Sequence, residues 1–258
     1  MSYIRFIELC SFGLFLGILL FLEVGRRIGI RRSAQAAEGT AAESRVVEGA
    51  VFGLLGLLVA FTFSGAAARF DTRRHLIVEE TNAIGTAYLR FDLLPTAAQP
   101  ALRERFRQYV EARLAAYRRL PDIAAAQAEE SRALQLQGDI WRQAVATSQE
   151  AGVHPATMLL LPALNAMIDI TTTRTLATSM HPPPMVFVML FGLALAGALL
   201  AGHAMAGSKS RTWLHMLGFA AVFALAVYII LDLEYPRLGL IRFGAFDQAL
   251  VALRESMQ

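Results

Sequence analysis

The sequence predicts an all-α integral membrane protein with four transmembrane helices and an extramembrane helical domain between the second and the third. Of its 258 residues, 55% are hydrophobic and only 17% are charged, whereas a soluble domain carries about 25% charged residues. The apolar residues are concentrated in four long runs, and about 20 such residues are enough for one helical span. Between the second and third runs the composition becomes that of a soluble helical domain.

The first run covers about residues 3–25, because Glu8 and Glu23 can reach the interface from its ends. Three further runs contain no Asp, Glu, Lys or Arg and cover residues 49–68, 185–206 and 213–231. A cleaved signal peptide is the alternative for the first run, with Ala34-Gln35-Ala36 as the cleavage site. Arginines stand between the run and that site, where a signal peptide should be uncharged, so we interpret the run as a span.

These spans divide the chain into four predicted segments. Residues 1–68 contain transmembrane helices one and two, 69–181 form the extramembrane domain, 182–232 contain transmembrane helices three and four, and 233–258 form a C-terminal tail. No Pro or Gly separates Ala68 from Phe70. The second transmembrane helix is therefore predicted to continue into the extramembrane domain and to end only near Leu94-Pro95.

The extramembrane domain is predicted to contain further helices. A packing stripe recurs every seven residues along the continued second helix, at Phe70, Ile77, Ile84 and Phe91. The next helix begins near Pro100, and a third follows the N-cap residue Asp122 and ends near Gly152. A fourth ends before the proline run 182–184. On the helix after Pro100, apolar side chains form one face, and the arginines Arg103, Arg107, Arg113 and Arg118 lie largely on the other.

Charge and motif content exclude several classes of function. The net charge of +3 is small and scattered, which does not indicate a nucleic-acid partner. The single cysteine, Cys10, cannot form an intrachain disulfide. No pair of histidines has the i, i+4 spacing of a zinc site, and neither a phosphate-binding loop nor a nucleophile motif occurs. We therefore expect neither an enzyme nor a cofactor.

Polar residues inside two helices of the extramembrane domain are the candidates for function. Glu79, Glu80 and Asn82 lie on the continued second helix, and Asn165, Asp169 and Thr173 follow at i, i+4 and i+8 on the fourth. Such residues either close a buried network or face a water-filled cavity. A network would pair Glu80 and Asp169 with Arg174 or Arg90, because an unpaired buried charge is costly.

Three stretches carry a resemblance to a known family: residues 53–95, LLLPALNAMIDITTTR at 159–174 and LDLEYPRLGLI at 231–241. They are similar to the bacterial bestrophin-like family and, more distantly, to the bestrophin ion channels. The resemblance implies four membrane helices with a helical domain between the second and third. It also implies a homo-pentamer around a pore lined by the second helix.

Bestrophins have an Arg-aromatic pair after an apolar stretch of the second helix, and their pore neck consists of three apolar residues spaced by four. Aligning Arg69-Phe70 with that pair puts the neck at Gly53, Leu57 and Phe61. Gly53 departs from the bulky neck residue of the family, so only Leu57 and Phe61 can form a constriction. Ser64, with the small residues that follow it, offers the polar or small pore face beyond the neck.

The end of the fourth span also resembles the family. Asp232, Glu234, Pro236 and Gly239 are similar to an acidic-Pro-Gly segment that helps to bind calcium in bestrophins. The long acidic run of the calcium-gated animal members is missing, so calcium gating is not expected. We expect Asp232 and Glu234 to pair with arginines or with a cation at the junction with the helical domain.

The resulting expectation is a homo-oligomeric channel, a pentamer in a bacterial inner membrane, that conducts small inorganic ions, with anions favoured. A non-conducting scaffold or sensor whose helical domain binds a partner is the alternative. A secondary transporter would need an internal repeat or broken helices, which the sequence does not have. The resemblance implies cytoplasmic termini and a cytoplasmic helical domain. Four arginines after the first span favour the opposite orientation.

Overall fold

A computed structural model describes residues 3–33, 40–150, 154–207 and 213–257. In these ranges the chain forms α-helices and no strand. The helices are α1 (Tyr3–Ser33), α2 (Thr40–Leu89), α3 (Gln99–Arg118), α4 (Ile123–Glu150), α5 (His154–Ser179), α6 (Pro184–Ala204), α7 (Trp213–Glu234) and α8 (Gly244–Ser256). Short 3-10 turns follow α2 at Arg90–Leu93 and α6 at Met205–Gly207.

Four helical stretches are long and apolar enough to cross a membrane, which confirms the predicted fold class. They are Arg5–Arg31, Val46–Leu93, Met158–Ala204 and Trp213–Glu234. Helices suit the hydrocarbon layer because each satisfies its backbone hydrogen bonds internally. Two features lie outside the described residues: the cleavage site considered at 34–36 and the predicted end of the third extramembrane helix at Gly152.

The chain divides into two compact units, each with its own core. The membrane unit comprises Met1–Arg69 and His181–Tyr235, and the helical unit comprises Phe70–Met180 and Pro236–Gln258. Helix α2 contributes its first part to the membrane unit and the remainder to the helical unit. The residues that were predicted as a separate tail contain helix α8 and fall almost entirely in the helical unit.

Close contact between α1 and α6 organises the membrane unit. A Cβ atom added at Gly25 of α1 would lie 1.9 Å from the carbonyl oxygen of Leu199, and one added at Gly202 of α6 would lie 2.0 Å from that of Leu22. No side chain fits at either position, so the two backbones approach each other as small-residue membrane interfaces do. Ile18 and Ala198 lie fully buried in the same core.

An aromatic cluster forms the centre of the helical unit. Phe91 and Phe106 meet edge to face with ring centroids 5.2 Å apart, and Tyr109 and Tyr88 complete the cluster. The stripe predicted for the continued second helix is buried here, with Ile84 and Phe91 fully inaccessible. Such edge-to-face pairs add stability beyond the burial of apolar area.

Side chains also complete helix ends in the helical unit. The predicted N-cap is confirmed, because Asp122 Oδ1 accepts a hydrogen bond of 3.0 Å from the Ala125 N–H. At the other end of the unit, Arg73 of α2 donates to the carbonyl oxygens of Ala177 (3.1 Å) and Met180 (2.8 Å) at the end of α5. These bonds satisfy carbonyl groups that a helix end leaves without an internal partner.

One residue of α3 lies on the face opposite to the one expected. The sequence assigned Arg113 to the polar face, whereas its side chain is only 2% exposed. The assignment was wrong because an ionic partner on α2 compensates the burial of this charge, and periodicity alone does not detect such a partner.

We expect substitution at the α1–α6 contact to destabilise the membrane unit. Gly25→Ala and Gly202→Ala should each cost about 1–3 kcal/mol, because the new methyl group overlaps a backbone carbonyl. The midpoint of thermal unfolding should be followed by Trp213 fluorescence in a Trp141→Phe background. Gly13→Ala and Gly192→Ala are matched controls on the same two helices, since open space surrounds both positions. Equal midpoints in all four variants would contradict the close contact.

Candidate functional site

Helix α2 is covered by its own chain along one side only. It runs without interruption for 50 residues, which is about 75 Å at 1.5 Å per residue. Its buried positions repeat with helical spacing, at Leu55 and Ala66 in the membrane unit and at Arg73, Ile77, Glu80 and Ile84 in the helical unit. The opposite side of the helix is exposed along its whole described length.

We call this opposite side the open stripe of α2. It consists of Gly53, Leu57, Phe61, Ser64, Ala68, Asp71, His75, Glu79, Asn82, Thr86 and Leu89. In the membrane unit the stripe is apolar or small, and beyond Arg69 it becomes polar. The predicted neck residues and Ser64, Glu79 and Asn82 therefore share one helix face, whereas Glu80 lies on the buried face.

The predicted neck residues are accessible in the single chain. Leu57 is 51% and Phe61 66% exposed, and they lie one helical turn apart on the same side of α2. Gly53 has open space where a Cβ would be. These two side chains therefore lie outside the core of the membrane unit, where lipid, a neighbouring span or another copy of the chain can cover them.

Glu80 is the centre of a buried ionic network in the helical unit. Its carboxylate is fully inaccessible. Arg113 of α3 donates to Oε1 at 2.8 Å, and Arg174 of α5 donates to Oε2. Arg174 is the partner that the sequence offered for Glu80, and Arg113 is an additional one. The network therefore fixes three helices to one another through a single carboxylate.

A tyrosine and a second carboxylate extend this network. The Tyr117 hydroxyl accepts a hydrogen bond of 2.5 Å from Arg113, and the guanidinium carbons of Arg174 and Arg237 lie 4.1 and 4.3 Å from its ring centroid. Arg237 also binds Asp247 through two hydrogen bonds of 2.7 and 2.8 Å. Burial and, next, the Glu80 carboxylate raise the pKa of Tyr117, so its hydroxyl stays protonated.

The remaining polar candidates are not part of this network. Asn165 Nδ2 donates to Asp169 Oδ2 at 2.9 Å on the exposed surface of α5, and the Thr173 hydroxyl donates to the main-chain oxygen of Asp169 at 2.9 Å. Arg90, considered as a partner of Asp169, donates instead to the main-chain oxygen of Leu159. These side chains thus lie on the surface of the single chain.

At the end of α7, Glu234 is 1% exposed and lies against Arg69 and His181 of the membrane unit. Arg69 Nε lies 2.9 and 3.1 Å from its two carboxylate oxygens, and Arg69 Nη2 also donates to Oε1. His181 Nδ1 lies 3.4 Å from Oε2, and its ring stacks on Tyr235 with centroids 4.3 Å apart. Asp232, two residues earlier, is 1% exposed.

This arrangement does not fit a calcium site. Calcium requires six to eight oxygen ligands, and both oxygens of Glu234 already accept hydrogen bonds from an arginine. Among the residues that the structure describes, no group of three or more His, Cys, Asp or Glu side chains could hold a metal ion. For Glu234, the expected pairing is therefore with an arginine.

Sequence reasoning missed several residues of these clusters: Arg69 as an ion-pair partner, Arg113, Tyr117, His181 and Arg237. A weak signal existed for Arg113, which follows Tyr109 by four residues and directly precedes Leu114, so it borders the apolar face of α3. No signal existed for His181 or for the packing of Arg237 on Tyr117, because these partners are far away in the sequence.

The fold and the clusters described above define a class: an all-helical membrane protein with four spans and a helical unit inserted between the second and the third. A family model of the Bestrophin-like domain matches residues 12–242. The chain therefore belongs to the Bestrophin-like domain family.

Solved structures agree with this assignment at the level of the fold. Two variants of a bacterial bestrophin homologue from Klebsiella pneumoniae superpose with TM-scores of 0.66 and 0.65, each at 14% sequence identity. The alignments cover 95% and 94% of this chain and 98% of the other. A comparison with curated proteins gives no significant match.

We expect Glu80→Gln to destabilise the helical unit by about 3–5 kcal/mol, because two buried guanidinium groups lose their shared counter-charge. Trp141 packs against the core of this unit, so its fluorescence in a Trp213→Phe background reports thermal unfolding there. Glu79→Gln is the matched control, since the neighbouring Glu79 is exposed and should change stability by no more than about 0.5 kcal/mol. A Glu80→Gln protein as stable as the control would contradict the role of the network.

Proposed function

We propose that the chain is the subunit of a homo-oligomeric ion channel, a pentamer, whose pore is lined by the open stripe of α2. The observation that carries this proposal is the one-sided covering of α2. Only 6% of the most apolar window of the α2 span is buried, against 28–33% for the other three spans. A span that exposes large apolar groups and then a polar face is suited to lining a pore formed by several copies.

The neck would act as a hydrophobic constriction. Around an oligomer axis, Leu57 and Phe61 would form two stacked apolar rings, because they lie one turn apart on the same face. A narrow apolar ring can empty of water and so oppose ion passage without a charged plug. Beyond it, Ser64 and the polar part of the stripe would provide a wetted vestibule.

The substrates are small inorganic ions in a bacterial inner membrane. The family resemblance favours an anion as the permeating ion. Rings of acidic side chains favour cations, and the open stripe carries Asp71 and Glu79, so flux of both anions and cations has to be measured. Asp71 is paired with Arg74 at 2.5 Å, which leaves Glu79 as the stronger test of ion charge.

The neck is tested by Phe61→Ala. A shorter side chain at the constriction should raise ion flux through reconstituted protein severalfold, while native mass spectrometry shows an intact oligomer. Phe63→Ala is the matched control: Phe63 is also exposed, at 46%, but lies off the open stripe. Its flux should equal that of the wild type.

Two outcomes would overturn the proposal. If Phe61→Ala lowered thermal stability and left flux unchanged, Phe61 would be a packing residue. If neither the wild type nor Phe61→Ala conducted any ion, the alternative of a non-conducting scaffold or sensor would replace the channel.

Orientation is tested separately. We follow the family resemblance and expect the termini and the helical unit to be cytoplasmic. A reporter that is active only in the cytoplasm should therefore be active when fused after Gln258. Activity of an exported-only reporter at the same position would reverse the orientation and would agree with the arginines that follow the first span.

A further inference from the structure

A cavity of about 180 Å³ lies in the membrane unit between α2, the start of α6 and the end of α7. Its walls are mainly apolar and include Leu58 and Phe61 of α2, Val186 and Phe187 of α6 and Ile230 of α7. Thr62 also lines it, but its hydroxyl donates to main-chain oxygens of its own helix. The walls therefore suit hydrocarbon and not water.

One end of the cavity is polar and carries an unused hydrogen-bond donor. Arg69 lines this end and donates to Glu234 through Nε and Nη2. Its third nitrogen, Nη1, makes no hydrogen bond to any described residue. A Cβ atom at Gly65 would lie 3.3 Å from Nη1, so the absence of a side chain at Gly65 keeps this nitrogen accessible from the cavity.

The position of the polar end along the spans indicates the kind of molecule that fits. Arg69 directly follows the uncharged run 49–68, and Glu234 is the last residue of α7. Both lie where a span reaches the interface, which is the depth of lipid head groups. The apolar walls lie on the side of the hydrocarbon layer.

We propose that this cavity binds the carboxyl end of a single fatty acyl chain. A carboxyl oxygen accepts a hydrogen bond from Arg69 Nη1, while Nε and Nη2 stay with Glu234, because a guanidinium carries five donors on separate edges. The first carbons of the chain fill the cavity, and the rest of the chain extends into the bilayer.

The volume favours one chain. An apolar cavity of about 150 Å³ holds one benzene molecule, so 180 Å³ has room for a segment of about six carbons. It has no room for the two chains of a phospholipid side by side. Phe61 borders the cavity, so the bound chain contacts a neck residue. An effect of the fatty acid on ion flow rests on the proposed channel function, whereas its binding does not.

Binding is tested with dodecanoate on the full-length oligomer in nanodiscs, counted by native mass spectrometry. The wild type should saturate at one dodecanoate per chain. Gly65→Leu fills the cavity from α2, and Val186→Phe fills it from α6, so each should weaken binding by about tenfold or more, equivalent to at least 1.4 kcal/mol. Gly56→Leu is the matched control, because Gly56 lies on the same helix in open space and should keep wild-type affinity.

The head group is tested with dodecyltrimethylammonium, which has the same chain and no acceptor. It should bind at least about tenfold more weakly than dodecanoate. Three results would each overturn the proposal. They are equal binding of both probes, unchanged dodecanoate binding in Gly65→Leu and Val186→Phe, and displacement of dodecanoate by a diacyl phospholipid at similar concentration. A variant that loses thermal stability, read from Trp213 fluorescence, is replaced by the other filling variant.

The effect on ion flow is measured in the same variants. Dodecanoate should change flux in the wild type and in Gly56→Leu and should have no effect in Gly65→Leu. If adding dodecanoate did not change ion flux through the wild type, the regulatory role would be overturned. Absence of any flux would overturn the channel proposal alone, because the binding measurements still decide whether the fatty acid site exists.

Discussion

The structure depends on the one-sided covering of helix α2. Inside a bilayer a helix satisfies its peptide hydrogen bonds internally, so it stays helical even on a side that no other helix covers. The side chains of α2 can therefore pack against other helices on one side only. In the membrane unit α2 uses Leu55 and Phe52 against Gly197 of α6, and in the helical unit it uses Ile77, Glu80 and Ile84. The opposite side is exposed over many turns and carries the large apolar residues Leu57 and Phe61.

Buried charges in the helical unit fix the positions of its helices relative to one another. Replacing a buried ion pair by apolar residues is often neutral for stability, but removing one partner is costly. Glu80 is shared by two arginines, and Tyr117 lies against the guanidinium groups of Arg174 and Arg237. Any shift of α2, α3 or α5 along its axis would therefore break a hydrogen bond to a desolvated charge. Apolar contacts alone would tolerate such sliding better.

Much of this fold could be predicted from the sequence. Uncharged runs of sufficient length identify the spans, and the absence of Pro or Gly after Ala68 predicts the continuation of α2. The Asp122 cap is a local signal and was also found. The ionic network was predicted only in part: the pairing of Glu80 with Arg174 follows from the cost of buried charge, but Arg113 was assigned to the wrong face. Helix α8 was missed because its residues followed the last span without a distinct apolar run. The cavity beside Phe61 depends on distant residues that only the folded chain brings together.

The contact between Gly25 and Leu199, and that between Gly202 and Leu22, restrict which sequences can evolve at these positions. Each glycine faces a backbone carbonyl, whose position does not change when a neighbouring side chain is replaced. A compensating mutation on the other helix therefore cannot make room for a methyl group, in contrast to ordinary packing positions. During divergence these two glycines should change more slowly than the lipid-facing leucines around them. Distant homologues that keep this α1–α6 contact should therefore keep a glycine at both positions.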